Sequence, residues 1–303
     1  PLKDFEYCAP STLREAMALK AEKGDGARIL AGGTDLIVQL RGKRFAPDRV
    51  IDIKNIPEAN ELSYGSRRGL TIGAAVPCWR IYNDSEVVDR YPGLIDSAAI
   101  IGGIQIQGRA TFGGNLCNSS PSADTTPSLI THSAQCHIAG PAGKRTIAVE
   151  EFCTGPGSNV LEPNELLVAI QIPTAKKNTG SHYQRFIPRN EMDIAVVGVS
   201  SHVVLANRGK EFKAVRIALG AVGPTPLFAR EASDNLIGKE VSDGAIAEAA
   251  EAAQAIATPI SDMRGPAEFR THLVGVLVKR TLTGAIARAR GKFVSNAVQE
   301  AAG

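Results

Sequence analysis

Residues 111–124 read TFGGNLCNSSPSAD, and this stretch decides how the middle of the chain can fold. It combines the adjacent glycines Gly113 and Gly114 with three serines, a proline and an acid, and only Phe112 and Leu116 are clear core formers. Glycine and serine have low helix propensity, and so short an apolar set buries little surface in a strand. The composition therefore predicts a tightly turned segment with accessible backbone rather than a helix or a long strand.

A second glycine pair lies earlier in the chain, in AGGTD at 31–35. It follows the apolar run ARIL at 27–30 and precedes LIVQL, a pattern that predicts strand, glycine turn and helix, with Thr34 as the helix N-cap. Taken alone, a single Gly-Gly pair is explained by a tight turn and needs no ligand. However, paired glycines also allow positive φ and let backbone N–H groups converge on an anion. Two such loops, at 31–35 and 111–115, predict the two sides of a cradle for a diphosphate.

The common nucleotide and hydrolase motifs are absent from the sequence. No G-x-G-x-x-G opens a helix after a strand, and Gly143-Lys144 lacks both the Ser or Thr and the upstream glycine of a P-loop. No G-x-S-x-G elbow occurs, and the histidines show no triad spacing. The sequence thus indicates a protein that holds a large phosphorylated cofactor and leaves the chemistry to it.

The composition excludes several classes of protein. The 303 residues are 44% hydrophobic and 21% charged, with a net charge of +3 from scattered basic residues, so a nucleic-acid partner is not expected. The aliphatic run at 273–278 ends at Lys279, far short of the roughly 20 residues that a membrane span needs. Lys3, Asp4 and Glu6 do not fit a secretory signal, so we expect a cytoplasmic protein.

The cysteines do not suggest disulfides or a metal site. There are five, at wide spacings and with no C-x-x-C pair. His132, Cys136 and His137 lie close together in sequence, but no second ligand pair with suitable spacing accompanies them. We expect these three to be ordinary strand and loop residues.

The hydrophobic pattern predicts an α+β chain. It indicates a helix at about 12–22 and strands at 27–30 and 49–53, and then a second unit of strands and helices that includes strands in 128–140 and 165–173. Further along, three antiparallel strands precede helices at about 243–257 and 266–290. We expect N-terminal and second cofactor-binding subdomains at 1–58 and 59–178, a C-terminal domain at 179–292 and a tail at 293–303.

Four stretches together resemble a known family. They are AGGTDL at 31–36, TFGGNLCNSSPSADTTPSL at 111–129, LEPNELLVAIQIP at 161–173 and RNEMDIAVV at 189–197. In this order they resemble the FAD-binding (medium) subunit of the molybdenum hydroxylases, which include carbon monoxide dehydrogenase and xanthine dehydrogenase. The resemblance implies a vanillyl-alcohol-oxidase (PCMH-type) FAD-binding fold of two α+β subdomains, followed by a domain with a three-stranded antiparallel sheet and helices.

The resemblance also implies which residues contact FAD. Ile101, Leu166 and Leu167 would fit equally well as core residues, and Arg185 as a solvated surface charge. The implied contacts are Ile29, Leu30, Ala31, Gly32, Gly33, Thr34, Asp35, Leu36, Ile101, Thr111, Phe112, Gly113, Gly114, Asn115, Asp124, Leu166, Leu167 and Arg185.

By resemblance, this chain is one subunit of a larger oxidoreductase. A large subunit would carry a molybdenum-pterin cofactor and a small subunit two 2Fe-2S clusters, in a dimer of heterotrimers. Electrons would pass through the FAD of this chain to an acceptor such as NAD, a quinone or dioxygen. The chain lacks the cysteine-rich insertion of the 4-hydroxybenzoyl-CoA reductase branch, so no further cluster is expected here.

Two alternatives stay open on the sequence alone. One is a free-standing flavin oxidoreductase of the same fold, which would need its own substrate pocket. The other is a nucleotide-binding module without redox function, which would be colourless. The sequence identifies neither the substrate of the complex nor its physiological electron acceptor.

Overall fold

The computed structural model describes residues 3–189 and 192–295. Asn190 and Glu191, which belong to the stretch 189–197, lie outside the described residues, and so do residues 296–303 of the expected tail.

The N-terminal segment forms a small parallel sheet with the strand order β1-β3-β2. Helices follow the first and second strands, as parallel pairing requires, since each parallel strand must be reached by a crossover. The predicted helix at about 12–22 and the strands at 27–30 and 49–53 are confirmed. The elements are β1 (Glu6–Cys8), α1 (Leu13–Lys23), β2 (Ala27–Leu30), α2 (Leu36–Arg41) and β3 (Arg49–Asp52).

The second segment forms an antiparallel sheet with the order β4-β5-β10-β6-β7 and a separate β8-β9 hairpin. Short helices connect β5 to β6. The elements are β4 (Leu62–Gly65), β5 (Gly69–Gly73), α3 (Cys78–Tyr82), α4 (Ser85–Arg90), α5 (Pro92–Ala98), α6 (Ile104–Gln107), α7 (Phe112–Asn118), α8 (Thr125–Thr131), β6 (Gln135–Gly140), β7 (Gly143–Ala148), β8 (Cys153–Gly155), β9 (Ser158–Asn159) and β10 (Leu166–Ile172).

The opening stretch contains a helix, α7, so the prediction of an entirely turned segment was wrong. Thr111 caps this helix, because its Oγ1 accepts a hydrogen bond of 2.8 Å from the N–H of Gly114. Gly113 lies so close to β5 that a Cβ there would be 2.6 Å from Cα of Ala74. The cap and this close packing stabilise a helix that two glycines alone would disfavour.

Two further predictions of local structure were wrong. Residues 128–131 belong to helix α8, so the strand expected in 128–140 begins only at Gln135. Helix α2 begins at Leu36, and the residue in the N-cap position is Asp35 rather than Thr34, with no hydrogen bond from its side chain to the helix. The glycine turn therefore includes Thr34, and the helix begins one residue later than the Thr34 hydroxyl suggested.

The C-terminal segment forms an antiparallel sheet with the order β11-β12-β13-β14, covered by helices. The three predicted strands and both long helices are confirmed, and the two-residue strand β14 extends the sheet. Helix α11 packs closely against β11 and β12. The elements are β11 (Thr179–Phe186), β12 (Val197–Ala206), β13 (Glu211–Gly220), β14 (Leu227–Phe228), α9 (Arg230–Asp234), α10 (Asp243–Ala255) and α11 (Ala267–Ala289).

The buried side chains divide into two hydrophobic clusters. One joins the first two sheets and includes Ile51, Ile72 and Phe112, all fully buried. The other lies between the C-terminal sheet and its helices and includes Val199 and Val274. Within the described ranges, no helix is both long and apolar enough to cross a membrane.

Candidate functional site

A cleft of about 360 Å³ lies between the small parallel sheet and the second sheet. Residues of β2, the glycine turn and α2 form one wall. The first turn of α7 and the segment 157–167, which leads into β10, form the other. The two glycine pairs of the sequence therefore face one cavity.

Most of the site residues expected from the sequence lie at this cleft. Leu166 and Leu167 are also buried in the core, so the two interpretations of these leucines are compatible. The expected residues that line the cleft are Ile29, Ala31, Gly32, Gly33, Thr34, Asp35, Leu36, Ile101, Thr111, Gly113, Gly114, Asn115, Leu166 and Leu167.

Four expected residues do not line the cleft. Phe112 points into the core and is fully buried, and Leu30 packs beneath the glycine turn, 2.8 Å from where a Cβ of Gly33 would lie. Asp124 and Arg185 form an ion pair of 2.6 Å away from the cleft lining.

Close backbone contact explains two of the glycines. A Cβ on Gly32 would lie 2.0 Å from the carbonyl oxygen of Arg109, just ahead of α7. Gly33 has a φ of +79°, a conformation that glycine adopts without strain. These glycines bring the turn at 31–35 against the start of α7, which is how the two glycine pairs meet.

The glycine turn offers backbone donors to the cleft. The N–H groups of Gly32, Gly33, Thr34 and Asp35 donate no hydrogen bond to any other described residue. Several free N–H groups on one concave backbone segment suit an anion. These groups therefore fit the diphosphate of a dinucleotide.

One end of the cleft is basic. Lys20, Arg28 and Arg44 line it, and the Arg28 guanidinium stacks over the Phe45 ring at 4.1 Å. Burial, and secondarily the charge of Arg28, lowers the pKa of Lys20. Asp25 lies beside Lys20 and offsets part of this charge. The remaining positive charge and the stacked ring surface suit the phosphate and aromatic parts of a nucleotide.

Asp35 brings a carboxyl group into the same cleft. Burial raises its pKa, since the charged form loses hydration there. A carboxyl group beside backbone donors can accept hydrogen bonds from hydroxyl groups of a bound ligand. This residue therefore suits a sugar better than a phosphate.

Two side-chain contacts hold α7 in place. Gln39 on α2 donates a hydrogen bond of 2.9 Å to Oδ1 of Asn118 on α7. Oδ1 of Asn115 accepts a bond of 2.6 Å from the Thr125 hydroxyl at the start of α8. The side chain of Asn115 thus fixes the orientation of α7 against α8.

Asp124, Tyr183 and Arg185 form a buried network. Arg185 donates one bond of 2.6 Å to Asp124 and another of 2.8 Å to the carbonyl oxygen of Ile100, and Tyr183 donates a bond of 2.8 Å to Asp124. The Arg185 side chain is only 6% exposed, so its interpretation as a solvated surface charge was wrong. Burial raises the pKa of Tyr183 well above its usual value, so the phenol stays a donor. The network anchors the backbone next to Ile101, which lines the cleft.

Several cleft residues were not anticipated from the sequence. In the stretch 161–173 the sequence indicates only the two leucines as contacts. Arg28 and Phe45 become neighbours only through the tertiary fold. The unanticipated lining residues are Lys20, Asp25, Ala27, Arg28, Gln39, Arg44, Phe45, Ile53, Ala74, Ala110, Cys117, Asn118, Gly157, Asn159, Leu161, Glu162, Pro163 and Glu165.

The site holds no evident reactive thiol or metal ligand set. Burial raises the pKa of Cys117 to about 12, so it is a packing residue at neutral pH. Among residues 3–189 and 192–295, no group of three or more His, Cys, Asp or Glu side chains is placed to hold a metal ion, and this includes His132, Cys136 and His137.

Comparisons with known proteins cover nearly the whole chain. The xanthine dehydrogenase FAD-binding subunit of Escherichia coli O157:H7 is 32% identical over 292 residues, with 96% of this chain and 99% of that one covered. The carbon monoxide dehydrogenase medium chain of Hydrogenophaga pseudoflava is 35% identical over 285 residues, covering 94% and 98%. A solved structure of that organism's carbon monoxide dehydrogenase, in a form that lacks the Mo-pyranopterin moiety, matches with a TM-score of 0.90 and 34% identity, covering 95% and 99%.

Two family models match consecutive parts of the chain. Residues 182–285 match the C-terminal domain of the CO dehydrogenase flavoproteins. Residues 3–175 match the FAD-binding domain in molybdopterin dehydrogenase. The α+β fold and the cleft with its free backbone donors agree with these matches. The chain therefore belongs to the FAD-binding subunits of the molybdenum hydroxylases, a family of oxidoreductases that includes the CO and xanthine dehydrogenases.

Proposed function

We propose that this chain carries electrons, through an FAD in the cleft, from the 2Fe-2S clusters of a partner subunit to an external acceptor. The observation that supports this most is the row of free N–H groups at Gly32–Asp35, in a turn that lines the cleft together with the first turn of α7. Family membership identifies FAD as the cofactor that these donors would hold.

The residues of the cleft have distinct roles in this proposal. The backbone at 32–35 and the first turn of α7 bind the pyrophosphate, and Asp35 accepts hydrogen bonds from a sugar hydroxyl. Ile101, Leu166 and Leu167 exclude water from the apolar part of the cleft. Asp124 and Arg185 act through the backbone at Ile100. The flavin, when bound, supplies the electron-transfer chemistry, so no side-chain acid or base is required.

We infer that two kinds of subunit accompany the chain. The relatives include a medium chain of carbon monoxide dehydrogenase and an FAD-binding subunit of xanthine dehydrogenase. By analogy, a large subunit holds the molybdenum-pterin cofactor and a small subunit holds two 2Fe-2S clusters, as a dimer of heterotrimers. The free thiols of the five cysteines fit a reducing compartment, so we propose a cytoplasmic location.

We also propose domain boundaries that follow the sheets. The first FAD-binding subdomain would be 1–58, the second 59–178 and the C-terminal domain 179–292, with a tail at 293–303. In support, the first sheet ends at Asp52, the second sheet runs from Leu62 to Ile172, and the C-terminal sheet begins at Thr179.

Substitution of Gly114 by valine tests the FAD site. A Cβ at Gly114 would lie 2.9 Å from the Thr111 Oγ1, so the capping hydroxyl must rotate away, whereas one at Gly113 would collide with the backbone of Ala74, just after β5. We therefore expect Gly114→Val to fold but to lose its flavin, because the branched side chain occupies the pyrophosphate's place. Visible absorbance per mole of purified protein measures the loss, and circular dichroism verifies the fold.

Gly244→Val is the matched control. Gly244 also lies in the first turn of a helix capped by a hydroxyl side chain, and the nearest atom to its added Cβ is the Ser242 Oγ at 4.0 Å. This variant should keep its flavin. Full flavin content in Gly114→Val, or equal loss in both variants, would refute the proposed pyrophosphate site.

Copurification separates the proposal from a free-standing flavoenzyme. If the chain works within a complex, affinity purification from its native host should recover it with iron- and molybdenum-containing subunits. A flavin-loaded chain that is recovered alone and turns over a substrate by itself would instead favour the free-standing oxidoreductase.

A further inference from the structure

A second cavity, of about 750 Å³, lies where the FAD-binding part of the chain meets the C-terminal part. Four separate segments form it: the corner between α4 and α5, the connection at 175–179, the turn after β12 and the C-terminal end of α11. It shares no lining residue with the FAD cleft. It is therefore a separate cavity.

The charge of this cavity is strongly unbalanced. Its cationic lining residues are Arg90, Lys176, Lys177, Arg208, Arg288 and Arg290, and its lining carboxylate among the described residues is Asp89. Ion pairs of 2.6 Å to Glu86 and Asp96 neutralise Arg90 and Arg288. The remaining cations still outnumber Asp89. A concave site with one sign of charge concentrates counter-ions.

Two of the arginines are held rigidly. Arg288 is 8% exposed, and besides Asp96 it donates to the carbonyl oxygen of Ser181 at 2.7 Å. Arg290 donates from Nε and Nη2 to the carbonyl oxygen of Gly209, at 3.1 and 2.7 Å. These bonds fix the cavity wall in advance of binding, which lowers the entropic cost of holding a ligand.

The turn after β12 supports the same geometry. Asn207, Arg208 and Gly209 are all in left-handed conformations, with φ of 48°, 57° and 83°. This conformation is uncommon for Asn207 and unusual for an arginine. It places Arg208 at the cavity and directs the Gly209 carbonyl toward Arg290.

The other cations are free to bind a ligand. Lys176, Lys177 and Arg208 are exposed, and their side chains make no hydrogen bond or ion pair to another described residue. Three uncommitted cations around one concavity match several negative charges on one molecule better than a single anion.

We propose that this cavity binds a small anion with two or more phosphate groups, either free or as the phosphate chain of a nucleotide. The ligand contacts Lys176, Lys177 and Arg208 and lies against the wall that Arg288 and Arg290 form. Because the cavity draws on both parts of the chain, bound ligand stabilises their junction.

Isothermal titration of the flavin-loaded chain tests the proposal. The probes are inorganic tripolyphosphate, orthophosphate and adenosine triphosphate, all at one physiological ionic strength. We expect saturable tripolyphosphate binding, an accompanying rise in the thermal midpoint, and orthophosphate affinity at least about tenfold weaker. Equal affinities for tripolyphosphate and adenosine triphosphate would mean that the cavity recognises only the phosphates. Tighter binding of adenosine triphosphate would mean that the physiological ligand is a nucleotide.

A triple variant locates the site. In Lys176→Gln/Lys177→Gln/Arg208→Gln we expect tripolyphosphate affinity to fall at least about tenfold. The matched control, Lys144→Gln/Lys213→Gln/Lys279→Gln, removes the same charge from exposed positions outside both cavities and should change affinity less than about twofold.

Three outcomes would overturn the proposal: no saturable tripolyphosphate binding by the wild-type chain, equal affinity for orthophosphate, or equal weakening in the two triple variants. Flavin content is measured in each preparation. Because neither triple variant alters the FAD cleft, failure here with normal flavin content leaves the proposed function untouched.

Discussion

Arg185 shows how a side chain can support a site that it does not line. Its guanidinium joins the Asp124 carboxylate to the carbonyl oxygen of Ile100, and the next residue, Ile101, lines the cleft between the first two sheets. The ion pair is largely shielded from water, with side-chain exposures of 6% and 11%. Its removal therefore affects both the stability of the protein and the shape of the cleft.

Arg185→Leu should strongly destabilise the protein. The substitution leaves Asp124 buried without its cation, and breaking such a pair costs about 3 kcal/mol or more. Urea unfolding, followed by circular dichroism, measures the difference from wild type. The double variant Arg185→Leu/Asp124→Leu removes both charges and should recover part of the loss. Wild-type stability in the single variant would contradict the contacts assigned to this pair.

The sequence was most successful at predicting which residues line the cleft where the backbone, rather than a side chain, forms the site. Gly32, Gly33 and Gly114 were selected for their missing side chains, and each lies at the cleft. Arg28 and Phe45 were missed because nothing in their local sequence marks them, and only the fold stacks one on the other. Arg185 was selected by resemblance, but its burial depends on long-range packing that spacing does not reveal.

Among the elements, α7 shows where local propensity failed. Two adjacent glycines cost about 2 kcal/mol relative to alanine in a helix, and the N-cap at Thr111 returns about 1 kcal/mol. The rest comes from packing, since only glycine permits the approach of Gly113 to Ala74. The long helices α10 and α11 were predicted correctly because they combine good helix formers with a clear apolar face.

Gly284→Ala should destabilise the contact between α11 and β11. A Cβ at Gly284 would lie 1.9 Å from Nδ1 of His182, which is buried beneath the helix. Alanine favours the helix by about 1 kcal/mol, but such a collision costs up to about 3 kcal/mol, so we expect a net loss of about 2 kcal/mol. Thermal and urea unfolding measure it.

Lys279→Ala is the control for that variant. Lys279 lies on the exposed face of the same helix, so this change alters helix propensity without affecting the contact with β11. Its stability should stay close to that of wild type. A Gly284→Ala variant as stable as Lys279→Ala would mean that α11 does not pack on β11 as described.

At the scale of the whole molecule, buried histidines lie on both sides of the C-terminal sheet: His202 contacts His132 on one side, and His182 packs beneath α11 on the other. The rings of His132 and His202 are 5.0 Å apart, and Nε2 of His132 is buried without a hydrogen-bond partner among the described residues. Burial lowers the pKa of His132 and of His182 to about 4, with smaller effects from Arg216 and Arg288, respectively. Burial also lowers the pKa of His202 well below its usual value.

Stability should therefore decrease in mild acid. Between pH 6.5 and about 4 the unfolded chain binds protons that folded His132 and His182 do not, so the free energy of unfolding falls as the pH falls through this window. The loss is about 2 kcal/mol per histidine near pH 5. Urea unfolding at several pH values measures how the free energy of unfolding changes with pH. In His132→Phe this slope should correspond to about one fewer proton taken up on unfolding. A flat profile from pH 7 to 5 would contradict the burial of these two histidines.

The sequence also predicted that the three larger sheets come from consecutive segments of the chain, since strand, turn and helix patterns alternate regularly. It did not predict the cavity between the FAD-binding and C-terminal parts, because its lining comes from four segments that are distant in sequence. Features of that kind depend on how whole units pack together. Resemblance to a family supplies the fold, but not the charges that line this cavity.

The visible absorption spectrum of the purified wild-type chain, with chromatographic identification of the released cofactor, tests the central claim most directly. We expect a yellow protein that releases stoichiometric FAD, since the cleft combines free backbone donors with a basic end. A folded but colourless chain that does not take up added FAD would contradict the account.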